Sequence, residues 1–191
     1  MKRIAVAGLL ALALGIMLSA CSIVTVRHPV GEPVSDDVGK EVEGLWSLES
    51  GEDPDDPYAH FCYVKYLKDG ALRVAQLLWE EEKFRLYEWT GLLTKHDKAL
   101  YLNVRANETK TEAPPTYYVL RMQGGSSRIM VLWVPRFNAF ADAVQSGQLA
   151  GQQTKDEVTI TASKADLEAF LKARSAGDLF MLEVPLVLVR Q

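Results

Sequence analysis

What most constrains this chain is a succession of short segments between Gly44 and Val134 that alternate apolar and polar residues and are broken by turn signals. Ala99–Arg105 shows the pattern cleanly, with Leu100, Leu102 and Val104 on one face and Tyr101, Asn103 and Arg105 on the other. A period of two is the mark of a half-buried antiparallel strand. Phe61–Lys68 and Ala71–Trp79 flank Asp69-Gly70, a strong two-residue hairpin signal. Phe84–Leu93 and Ala99–Arg105 flank a polar turn at Lys95-His96-Asp97. A loop with Pro114-Pro115 leads to Thr116–Met122, and Gly124-Gly125-Ser126-Ser127 leads on to Arg128–Val134. With Gly44–Glu49 in front, these are seven strands in meander order.

Beyond Pro135 the pattern changes. Proline suits a first helical turn, Phe137, Phe140, Ala141 and Val144 recur at helical spacing, and Gly147 suits the end. Asp156–Thr161 reads as a strand. Ser163 reads as an N-cap, with Asp166 three positions on, of a helix whose stripe is Leu167, Phe170 and Leu171 and which Gly177 ends. Leu179–Val189 reads as a long last strand with Pro185 inside it, implying a bulge or an edge. A meander of this length has an edge to hide, and closure is the usual solution. The fold expected is mainly β: an antiparallel meander forming a β-barrel or a strongly curved sheet, with two short helices in the C-terminal part, packed against a mouth or an outer face.

The chain begins differently. Lys2 and Arg3 precede an uncharged apolar run from Ile4 to Leu18, ending in Leu18-Ser19-Ala20-Cys21. A basic start, a short apolar core and small residues before a cut describe a signal peptide; a spanning helix needs about 20 apolar residues. Leu-Ser-Ala-Cys resembles the lipobox of bacterial lipoproteins. That resemblance implies cleavage before Cys21 and acylation of its thiol. Ser22, where an aspartate would favour inner-membrane retention, leans the resemblance toward the outer membrane, facing the periplasm. Three parts follow: residues 1–20 as signal peptide, 21–42 as lipidated tether, and 43–191 as a single β-rich domain. The tether reading rests on Pro29, Gly31, Pro33, Ser35, Asp36, Asp37 and Gly39, which interrupt the valines with no sustained period.

The full sequence carries a net charge of −4, and two of its 21 basic residues lie in the signal, so the body is more acidic still. Without a basic stripe, nucleic acid is not an expected partner. Membrane attachment then rests on the acyl chains, since several chains anchor stably where one does not. With Cys21 committed to lipid, Cys62 has no partner within the chain and reads as a small buried hydrophobe in Phe61-Cys62-Tyr63-Val64.

Gly44-Leu45-Trp46, at the start of the first meander strand, resembles the Gly-x-Trp signature of lipocalins and related calycin barrels. In that superfamily the tryptophan closes the barrel floor and an arginine from near the chain's end packs across it. The resemblance gives Trp46 and Arg190 those parts in barrel closure.

No Gly-x-Ser-x-Gly, His-Glu-x-x-His, Cys-x-x-Cys or phosphate-binding glycine loop occurs. His28, His60 and His96 are dispersed and read as surface residues. The acidic run Glu49, Glu52, Asp53, Asp55, Asp56 lacks the glycine of a calcium loop and reads as a solvated connection. Glu80-Glu81-Glu82, Lys83 and Arg85 read as a charged hairpin tip. No cofactor, metal or catalytic residue is expected. Aromatic residues on nearly every strand (among them Tyr66, Trp89, Tyr101, Tyr118 and Trp133) suit either a ligand cavity or a filled core. The functional expectation is a non-enzymatic envelope lipoprotein that binds an apolar small molecule or lipid. One alternative is an assembly or inhibitor lipoprotein docking on an envelope protein. Another is an unrecognised hydrolase.

Overall fold

The computed structural model describes residues 22–49, 61–80, 83–105, 115–124 and 128–191. The signal segment with Cys21, the acidic residues Glu52 to Asp56 with His60, Glu81, Glu82, Pro114 and Gly125 to Ser127 lie outside the described residues.

The chain enters through β1 (Ile23–Val26), β2 (Glu32–Pro33) and α1 (Asp36–Glu41). It then runs the meander: β3 (Gly44–Glu49), β4 (Phe61–Tyr66), β5 (Ala71–Glu80), β6 (Lys83–His96), β7 (Ala99–Arg105), β8 (Tyr117–Gly124) and β9 (Ile129–Trp133). An excursion follows, made of α2 (Phe137–Gln145), β10 (Gly151–Gln153), β11 (Glu157–Ile160), α3 (Lys164–Lys172) and α4 (Ala176–Leu179). Then β12 (Leu186–Arg190) returns and inserts between β9 and β3, with Val187 opposite both Val131 and Glu49. Eight antiparallel strands, β3 to β9 with β12, thus form a closed, calycin-like barrel with no free edge.

The wall forks at β8. Its last residues, Arg121–Gly124, pair with β9, while Tyr117 and Tyr118 pair with β1. Strand β1 runs parallel to β11, which pairs with β10. The fork makes two cores. One lies inside the barrel, around Trp46, Val64, Leu72, Leu93, Met130 and Leu132. The other lies between the barrel's outer face and the excursion, and joins Tyr101, Val119 and Trp133 to Phe140, Phe170 and Phe180. Each such side chain stabilises the fold by about 1.5–3 kcal/mol.

Several expectations are corrected. The segment from Ser22 to Val42 is not a tether: Val24, Val26, Val30, Val34 and Val42 are all buried. Its order comes from distant partners, β11 for β1 and β6 for β2. Strand β7 is not half-exposed, since Tyr101 and Asn103 on its outer face are buried under that segment and the excursion. The first hairpin turns at Asp69 and Gly70 (φ 51° and 77°), whereas the next turns later than expected, with β6 running to His96 and Asp97 taking φ 51°. The last strand is shorter than expected. Ser175 caps α4, accepting from the Asp178 N–H, so Leu179 is helical, and β12 begins just after Pro185, which has no N–H for a ladder. It is also a central strand, not an edge. Helix α3 ends at Lys172, and Gly177 lies within α4. Of the two placements expected for the helical part, a mouth or an outer face, the excursion takes the outer face.

Candidate functional site in the barrel lumen

Strand parity decides what faces the lumen. Leu48 and Trp46 point in from β3, Cys62 and Val64 from β4, and Val74 and Gln76 from β5. Trp89 follows from β6, Leu102 and Val104 from β7, and Tyr118 and Leu120 from β8. Met130 and Leu132 from β9, with Leu186 and Leu188 from β12, complete the ring. They line a cavity of about 160 Å³ whose walls include no charged residue.

The floor is built by α1 and by the two ends of the barrel sequence. Trp46 is 2% exposed and donates its indole N–H to the Val42 carbonyl at 3.0 Å. Arg190 stands opposite Trp46 in register, its guanidinium 4.7 Å from the ring centroid, and donates to the Glu41 carbonyl. Gly44 has φ 146°, a conformation side chains rarely adopt, and a Cβ there would lie 3.8 Å from the guanidinium. Below them Tyr66 donates to Asp36 at 2.6 Å and accepts from the Gly70 N–H at 3.3 Å. Its hydroxyl pKa is raised, first by the Asp36 hydrogen bond and then by burial.

Two lumenal groups carry chemistry. The Cys62 thiol is pushed up to about 11 by burial, which keeps it protonated. Gln76, its register partner on β5, is a buried carboxamide on an otherwise apolar face. Sequence reading did not single out Gln76. Its signal is the inward alternation Leu72, Val74, Gln76, in which the third member is polar. Of the aromatic residues, Trp89 and Tyr118 face the lumen, while Tyr101 and Trp133 belong to the outer core.

Elsewhere His96 packs against α3, its Nε2 3.1 Å from the Glu168 carbonyl oxygen, so it is not the surface residue expected. Among the described residues no group of three or more His, Cys, Asp and Glu side chains converges. Larger clefts, of about 860, 620 and 230 Å³, have charged residues such as Glu32, Lys95, Arg121, Lys172, Lys65 and Arg73 in their walls. The smaller lumen is the better ligand site, because its walls are apolar and carry one amide. No protein-family profile matches this sequence, and searches of curated proteins and of solved structures find no match either.

Proposed function

We propose that the chain is a non-enzymatic, lipid-anchored lipoprotein of the bacterial envelope that holds a small apolar ligand in its barrel. The observation that carries this reading is the apolar cavity of about 160 Å³ walled by all eight strands. A filled core needs no such space, since protein interiors pack with few voids larger than a water molecule. The size suits one ring or a short chain; an engineered apolar cavity of about 150 Å³ stays dry and takes benzene.

Anchoring rests on the basic start, the apolar run and Leu18-Ser19-Ala20-Cys21. Ser22 in place of aspartate favours the outer membrane. The fold begins almost at once after Cys21, with the Ile23 N–H donating to the Asp156 carbonyl at 2.8 Å. A barrel so attached would ride close to the bilayer rather than on a long tether.

A second reading, docking on an envelope protein, draws on Phe84 and Leu86, which are 67% and 64% exposed on the outer face of β6. Calorimetric titration of the purified chain with hexane separates the two. Saturable binding that is lost in Val104→Phe, which fills the lumen, supports the ligand reading. No binding to the wild-type protein overturns it. Labelled palmitate incorporated by the wild type and not by Cys21→Ala tests the anchor.

A further inference from the structure

Gln76 is 8% exposed, lines the cavity, and makes no side-chain hydrogen bond to any described residue. Amides that face the interior are mostly held by protein partners, and one on a cavity wall without such a partner is left for water or a ligand. A structural role would show a partner; Asn103, the other buried carboxamide, has several. Gln76 instead lines an otherwise apolar cavity, where its amide is not sealed from a water-sized molecule as Trp133 Nε1 and Arg190 Nε are. Beside it in register is Cys62, and around it are Val74, Trp89 and Leu120.

We infer that the lumen takes an uncharged ligand whose single hydrogen-bonding group, a hydroxyl or a carbonyl, is held by the Gln76 carboxamide, and that it rejects ionised carboxylates. A glutamine offers both a donor and an acceptor, so it serves either group. An ionised carboxylate would be buried without a counter-charge, because no Lys, Arg or His lines the cavity. The neutral thiol of Cys62 suits the same preference. The small volume limits the ligand to a short chain or one ring, with its polar group on the β4–β5 side.

This inference rests on the lumen being a ligand site, and the test keeps the two apart. The intact protein is titrated with hexane, hexan-1-ol, hexanamide and hexanoate at neutral pH. Hexanamide should bind at least about tenfold more tightly than hexanoate. In Gln76→Met, which keeps length and loses the amide, the ratio of hexanol to hexane affinity should fall about five- to tenfold. In the wild-type protein the Gln76 side-chain amide resonances should move with hexanol and not with hexane, which decides the matter if the variant fails to fold. Hexane binding with an unchanged ratio, unmoved amide signals, or hexanoate binding as well as hexanamide overturns the Gln76 inference and leaves the lumen site standing. If hexane itself does not bind, the lumen reading falls and this inference falls with it.

Discussion

The carboxamide of Asn103 holds both backbone polar groups of Val30, accepting from its N–H at 2.8 Å and donating to its carbonyl at 3.3 Å. Thr94 donates to the same carbonyl, and Asn103 donates to the Thr94 hydroxyl at 2.9 Å. All three residues are essentially inaccessible to solvent. A backbone strand can be matched by another strand, but here one side chain does that work for a single residue, 73 positions away.

Asn103→Leu should therefore cost about 2–4 kcal/mol, because it leaves a buried N–H and part of a buried carbonyl unpaired. The loss should be local before it is global. Amide exchange at Val30 and proteolysis within residues 27–34 should rise by more than exchange in β4 or β5. A variant as stable as the wild type would mean that β1 and β2 hold the strap without the amide.

The floor contact makes a second prediction. Arg190 joins three things: the Trp46 ring, the Glu41 carbonyl and the last register position of β12 on β3. Arg190→Met keeps much of the side-chain bulk and removes the charge, and should lower stability by about 1–2 kcal/mol. A double-mutant cycle with Trp46→Leu should return a coupling of about 1 kcal/mol. Additive losses would show that the stacking contributes little beyond area.

How much of this was legible from the sequence follows from how far apart the deciding partners lie. The turn at Asp69-Gly70 is local chemistry, two residues accepting positive φ, and it places β4 against β5 without outside help. The order of the meander strands follows from such turns. Val30 is another matter: its valine neighbours have no period, and distant partners such as Asn103, Thr94, β6, β8 and β11 make their burial worthwhile. Read from β7 alone, Asn103 looks like the solvent side of a half-buried strand; Val30, 73 positions earlier in the chain, covers it. Pro185 was visible as a break, but Ser175 capping α4 decides that the break is the strand's start. Gln76 was readable in principle, since a polar residue at the third inward position of Leu72, Val74, Gln76 departs from its own pattern. Its isolation depends on seven other strands and could not be read from β5.

Tyr66 gives the floor a pH dependence. Its hydroxyl pKa is raised above the ordinary 10.0, chiefly by donation to Asp36. A raised folded-state pKa means that the stabilisation is fully present below about pH 10 and is lost as pH rises through the folded value. Denaturant midpoints should fall above about pH 10 in the wild type. Tyr66→Phe should start at a lower midpoint, with the Gly70 N–H left unpaired, and the gap should close as the pH rises. A gap that stays constant would remove Tyr66 as the titrating group.

The lumen can be probed from within, because Cys62 faces it. With the thiol held at about 11 rather than 9.0, its thiolate fraction at pH 8 is about a hundredfold below that of an ordinary cysteine. Alkylation by iodoacetamide should be slower by at least that factor, since the reagent must also enter an apolar cavity of about 160 Å³. Saturating hexane should slow it further in the wild type and change nothing in Val104→Phe, where the space is already taken. Unfolding in urea should restore the ordinary rate, confirming that the thiol itself is intact. A native rate equal to the unfolded one would mean that water and reagent reach Cys62 freely. The barrel interior would then be too wet to select a ligand by apolar contact.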